Sequence, residues 1–94
     1  MNTAKPLEEN DLWKQLASEG SSRIYTWEDA PGAFYPDHTH NELTAHIILD
    51  GEMTLSMPGN SKTYRKGERC DVLAGAVHAA KMGPQGYRYM IGER

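Results

Sequence analysis

The sequence predicts an all-β domain, a sandwich or barrel, with one helix at its N-terminus. Two observations carry this. After residue 20 helical periodicity stops, and turn clusters recur at short intervals: Ala30-Pro31-Gly32, Asp50-Gly51, Pro58-Gly59-Asn60, Lys66-Gly67, Ala74-Gly75 and Gly83-Pro84-Gln85-Gly86. Between them lie seven short runs, at 23–27, 43–49, 53–57, 62–65, 70–73, 77–82 and 87–91. Regularly spaced short strands divided by Gly and Pro are the pattern of sandwiches and barrels.

The helix is read over residues 8–18. Leu12, Trp13 and Leu16 share one face by their three- and four-residue spacing, and Gly20 ends it. Among the strands, Met53, Leu55 and Met57 alternate with Thr54 and Ser56, as a half-buried strand requires. Cys70 and Val72 share the inward parity of the 70–73 segment, which makes Cys70 a buried thiol.

At 94 residues the chain is expected to be one domain, spanning 1–94. Leu, Ile, Val and Phe make up only 14 of the 94, a fraction found in disordered chains. The net charge of -3 is too small for that class, and two Trp, five Tyr and five Met add bulky apolar surface. The expected core is thin, and a metal or a subunit partner would supplement it.

Several function classes drop out. No run approaches the ~20 apolar residues of a membrane helix. The opening MNTAKPLEEN has no apolar signal-peptide region, so a cytoplasmic protein is expected. A single cysteine forms no intramolecular disulfide, and the scattered Lys and Arg make no nucleic-acid-binding face. Phosphate-loop, dinucleotide, nucleophile-elbow and HExxH patterns are all missing.

The four histidines fall between positions 38 and 78: His38, His40, His46 and His78. His38 and His40 are one residue apart, so on an extended segment both side chains point the same way and can chelate one ion. His78 lies in a later strand that a closed barrel would bring opposite. The alternative for the His-x-His pair is two solvated side chains.

At these positions the sequence resembles the cupins, small jelly-roll barrels that hold a metal inside. The first cupin motif is glycine, five residues, His-x-His, three or four residues, glutamate, six residues, glycine. Here it reads Gly32, His38, His40, Thr44 and Gly51, in register over residues 32–51. The second motif reads Gly67, Leu73, Gly75, His78 and Met82 over residues 67–82. The resemblance therefore implies a small cupin jelly-roll β-barrel with one N-terminal helix. Three motif residues are replaced: glutamate by Thr44, proline by Leu73 and asparagine by Met82.

By the same resemblance, His38, His40 and His78 hold one divalent transition metal ion: Fe, Mn, Ni, Zn or Cu. The missing glutamate leaves a neutral ligand set, which favours anionic or enolate-like oxygens at an open position. His46 lies two residues beyond Thr44, on the same face and about 6.6 Å along the strand. It is weighed as a fourth metal ligand, as a catalytic acid–base beside the ligands, and as a structural histidine. Glu42 is a further carboxylate, read as a solvated loop residue.

The implied activity is a metal-dependent dioxygenase acting on a small enolisable or aromatic molecule. Two alternatives stand beside it: a non-catalytic binding or sensor module, and a metal-dependent isomerase or lyase. Tyr25, Trp27, Phe34 and Tyr35 either line a pocket mouth or fill core and interface. Arg88 is expected at the surface, and the methionines in the core. The partners expected are a small-molecule ligand and a second copy of the chain, with the Tyr25/Trp27 strand and the Leu12/Trp13/Leu16 helix face as the contact surfaces of a homodimer.

Overall fold

The segment ENDLWKQLAS forms helix α1, Glu9–Ser18, one residue shorter than the sequence reading. Glu9 and Asp11 in its first turn complement the positive end of the helix dipole. It stops at Gly20, whose φ of 98° is open to glycine at no steric cost. The computed structural model describes residues 8–94, so most of the segment read as lacking a signal-peptide region lies outside the described residues. Among the described residues no helix is long and apolar enough to cross a membrane.

Six strands follow: β1 Arg23–Asp29, β2 Phe34–His38, β3 Thr44–Met57, β4 Asn60–Arg65, β5 Arg69–Val72 and β6 His78–Glu93. All pairings are antiparallel. The sheet runs β1-β6-β3-β4, with β2 added to β6 and β5 added to β3. The all-β jelly roll with one N-terminal helix is therefore present. Among the described residues its hydrogen-bonded path does not close, which corrects the expectation of a closed barrel.

Two turn clusters do not end strands. The chain passes through Asp50-Gly51 and through Gly83–Gly86 as irregularities within β3 and β6. The two meet: Gly51 pairs with Tyr87, and a Cβ placed on Gly51 would run into the Gly86 carbonyl oxygen. Side-chain parity is reset there in both strands at once. Ile48 lies opposite Tyr89 and Met53 opposite Met82, and all four are buried in one cluster although both intervals are odd. Matched bulges let each strand bend while the same face stays inward.

β2 was not foreseen as a strand, because Pro36 and Asp37 are poor strand residues. It is tolerated at an edge, where a missing N–H costs no ladder bond. It pairs with β6 through Phe34, Tyr35 and His38, with a bulge between.

Period-two alternation divides the core. One set, including Ile48, Met53, Leu55, Cys70 and Val72, faces the interior. The other, Ala45, Ile47, Leu49 and Met90, faces out and is covered by Leu16, with Leu12 and Ile24 at its margin. This corrects the helix-face expectation: Leu12 and Leu16 are used inside their own chain, and Trp13 alone stays 45% exposed. Arg88 lies outside as expected, bridging Glu9 of α1 at 2.9 and 3.0 Å.

Candidate metal centre

His38 closes β2 and His78 opens β6, and the two are paired directly across the ladder. His40 follows two residues later in a loop. That loop is fixed because the Gly75 N–H donates to the His40 carbonyl at 2.9 Å, tying it to the turn that leads into His78. Two segments remote in sequence, 38–40 and 75–78, thus converge through main-chain bonds.

The side chains follow. Ring centroids are 4.2 Å apart for His38–His78 and 4.9 Å for each of the other two pairs. Nδ1–H of His38 donates to the Pro36 carbonyl at 2.7 Å, and that of His78 to the Ala76 carbonyl at 2.9 Å. A carbonyl only accepts, so these bonds place the proton on Nδ1 and leave Nε2 with a free lone pair. One ligand atom from each of the three lies within 4.8 Å of the others. Two nitrogens on one ion at about 2.1 Å stand ~3–4 Å apart, so small side-chain movements suffice. Desolvation, and then the neighbouring His78 and His38, lower the pKa of His40 and keep it in the neutral form that metal binding needs. Among the described residues no carboxylate joins the set. The residues present fit a divalent transition metal.

Three of the four expected histidines are brought together; His46 is not. It lies on β3, half-buried, with its ring 5.7 Å from that of Tyr89. Burial pushes its pKa down to about 4, so the ring is neutral at neutral pH. Thr44, in place of the motif glutamate, is 2% exposed, and its hydroxyl has no hydrogen-bond partner among the described residues. Glu42 is exposed and outside the cluster. Cys70 is buried, as expected, and burial raises its thiol pKa.

The triad lies on the wall of a cavity of 530 Å³, which His46 and Thr44 also line. Tyr25, Trp27, Tyr35, Tyr87 and Tyr89 supply aromatic wall, with Met53, Leu55 and Met82 between them. Phe34 is 62% exposed and does not contribute. Asp29 organises one side, accepting from Trp27 Nε1 at 3.2 Å, Tyr35 OH at 2.6 Å and Tyr89 OH at 3.2 Å. At the rim Glu93 accepts from Tyr25 OH at 2.8 Å and pairs with Arg23 at 3.4 Å. Arg23 and Glu93, the charged side chains lining the cavity, thus pair with each other, while Asp29 adds one negative charge beside the side chains it accepts from.

Asp29, Tyr87 and Tyr89 were not anticipated as site residues. The alternate spacing of the two tyrosines on the last strand is a signal that they share a face. Nothing in the sequence marks Asp29 as the acceptor for three donors from three strands.

No protein-family model matches the sequence, and no curated protein matches it. Solved structures do share its fold. An RmlC-like cupin from Shewanella frigidimarina superposes with a TM-score of 0.66 at 20% identity, over 74% of this chain and 62% of that one. The DMSP lyase DddQ from Ruegeria pomeroyi gives 0.69 at 24% identity, over 76% and 36%. The polyketide cyclase RemF from Streptomyces resistomycificus gives 0.64 at 24% identity, over 82% and 58%. This chain spans less than two thirds of the length of each. The sheet topology, the histidine cluster and these likenesses agree on one architecture: the chain has the cupin fold.

Proposed function

We propose that the chain binds one divalent transition metal through His38, His40 and His78 and acts on an ionisable oxygen of a small aromatic or enolisable molecule. The observation that carries the reading is a neutral set of three imidazoles, two with Nδ1 locked by main-chain carbonyls, on the wall of an aromatic cavity. A bound ion would supply Lewis acidity and open coordination positions. The chain's own residues do the rest. Tyr25, Trp27 and Tyr35 flank the substrate, the apolar wall excludes water, and neutral His46 takes the proton that the ionising oxygen gives up.

Dioxygen-dependent cleavage is the reaction we favour, since three protein ligands leave room for both substrate and oxygen. A non-oxidative lyase or isomerase is the second reading. It is favoured by a neutral base on the cavity wall, and the similar folds include a lyase and a cyclase. We also propose a cytoplasmic homodimer, paired through the edge of β1 that is unpaired among the described residues; light scattering at micromolar concentration tests the dimer.

The deciding experiment is elemental analysis after exposure to Fe, Mn, Ni, Zn and Cu in turn, followed by oxygen uptake on a panel of enolisable and catecholic compounds. Stoichiometric metal with oxygen uptake supports the dioxygenase. Product formed without oxygen uptake moves the assignment to the lyase or isomerase. A protein that retains none of the five metals overturns the reading.

A further inference from the structure

Asp29 stands half-buried behind the aromatic wall of the cavity, and its charge is unbalanced. Both carboxylate oxygens accept, Oδ1 from Trp27 Nε1 and Tyr35 OH, and Oδ2 from Tyr89 OH. All three donors are neutral. Among the described residues every ion pair leaves Asp29 out. A carboxylate withdrawn from water is ordinarily paired with a cation.

The side chains that donate to Asp29 also line the cavity. Trp27 lies directly opposite Tyr89 in the β1–β6 register, and Tyr35 joins them from β2. With their protons given to Asp29, the three side chains have π faces and phenol lone pairs to offer a ligand, and no donor. The phenols keep those protons. The hydrogen bond to Asp29 raises the pKa of Tyr35, and burial, then the Asp29 charge, raise that of Tyr89. Electron-rich ring faces with a carboxylate behind them attract positive charge.

Tyr25, two residues from Trp27 on the same strand, already has a cation, the Arg23 guanidinium 5.2 Å from its ring centroid. Arg23 is itself paired with Glu93, and four residues of extended strand, ~13 Å, separate it from Trp27. Among the described residues no cation lies over Trp27, Tyr35 or Tyr89. These rings border the histidine triad: Tyr35 and His38 lie on one strand with ring centroids 6.3 Å apart. A ligand reaching from the triad to the rings is therefore short. A neutral ring placed there would leave Asp29 unbalanced, and an anion would be repelled.

We propose that Trp27, Tyr35 and Tyr89, backed by Asp29, form a cage for a compact onium group such as a quaternary ammonium. With its oxygen end at the histidine triad, the ligand is a small zwitterion whose cation and anionic oxygen stand a few bonds apart. The oxygen end alone rests on the metal reading above.

The test sets glycine betaine against 3,3-dimethylbutanoate, which keeps the shape and the carboxylate but has carbon in place of the charged nitrogen. In calorimetric titration of zinc-loaded protein, glycine betaine is expected to bind about tenfold tighter, as for a cation held against aromatic faces out of water. The charged nitrogen weakens the carboxylate as a zinc ligand, so this preference cannot come from the metal. Trp27→Leu and Asp29→Asn each bring the ratio to within about twofold. Trp27 is 52% exposed, and Asn keeps an acceptor oxygen at position 29, so both variants are expected to fold; should one unfold, the other reads the same ratio. Equal affinity for the two probes, a tenfold ratio that survives either variant, or failure of glycine betaine to bind overturns the cage. The same titrations on metal-free protein separate the two readings. Both probes are expected to weaken without zinc, with glycine betaine still the tighter. Zinc-dependent binding with equal affinities overturns the cage alone, and a tenfold preference indifferent to zinc overturns the metal reading alone.

Discussion

His38 and His78 face each other directly across the β2–β6 ladder, with ring centroids 4.2 Å apart. The ladder, not the loops, sets their separation, and each ring is held by the carbonyl two residues before it. A pair fixed this way is preorganised, so little side-chain entropy remains to be lost on coordination.

Replacing any member of the triad by alanine is therefore expected to abolish stoichiometric metal. His38→Ala, His40→Ala and His78→Ala should each weaken binding by at least ~100-fold, beyond the ~10–100-fold typical of losing a residue that only orients a ligand. His46→Ala should keep the metal, because His46 is not among the clustered ligands. Elemental analysis after dialysis checks all four. Metal lost from His46→Ala while one triad variant retains it would reverse the assignment.

The crossing of the two long strands makes a sharper mechanical prediction. Gly51 has φ +77°, and a Cβ there would meet the backbone carbonyl of Gly86. Gly59 has nearly the same φ, +78°, with nothing within 4 Å. Left-handed backbone alone costs a non-glycine residue about 1–2 kcal/mol. Gly59→Ala should lose about that much in urea unfolding. Gly51→Ala should lose at least ~2 kcal/mol more, because backbone and not a side-chain tip must move. Equal losses would mean that the two bulges are not in contact.

This crossing also marks how far the sequence could be read. The helix, the alternation from Met53 to Met57 and the inward Cys70 and Val72 were all legible, since each is a local periodicity. The two motif segments located the triad because their spacing survives although three motif residues do not. Asp50-Gly51 and Gly83–Gly86 were misread as strand ends. Their glycines serve a tertiary contact between two strands, and composition alone cannot tell a bulge from a turn. β2 was missed because Pro36 and Asp37 argue against a strand, and its place at the edge, which tolerates them, is not a local property. Asp29 was invisible for the same reason.

The packing of α1 gives a direct comparison between neighbours on one helix. Leu16 is fully buried against Ala45, Ile47 and Met90, whereas Trp13 is 45% exposed. Leu16→Ala should destabilise by ~2–5 kcal/mol, the range for a large-to-small change in a core. Trp13→Ala should change stability by less than about 1 kcal/mol in a monomer. A large, concentration-dependent loss for Trp13→Ala, measured by urea unfolding at two protein concentrations, would instead show that a second copy covers it.

Acid should loosen the far end of the same helix. Glu19 accepts from Arg69 Nη1 at 2.9 Å and Nη2 at 2.6 Å, with Arg94 at 3.3 Å and Gln15 also donating, while Asp71 shares Arg69. The Arg69 hydrogen bonds, against an opposing contribution from burial, hold its pKa at about 2, below the ordinary 4.5. A carboxyl depressed in the folded state contributes its full stability above pH 4.5 and loses it as the pH falls from 4.5 towards 2. Both side chains are about a quarter exposed, so solvent screens the pair and the contribution is ~1 kcal/mol. Glu19→Gln should thus be less stable than the parent at pH 7, with the gap closing between pH 4.5 and 2. Urea titrations across that range check it. A gap that persists unchanged to pH 2 would assign the contribution of Glu19 to packing of its stem against β5 instead of to its charge.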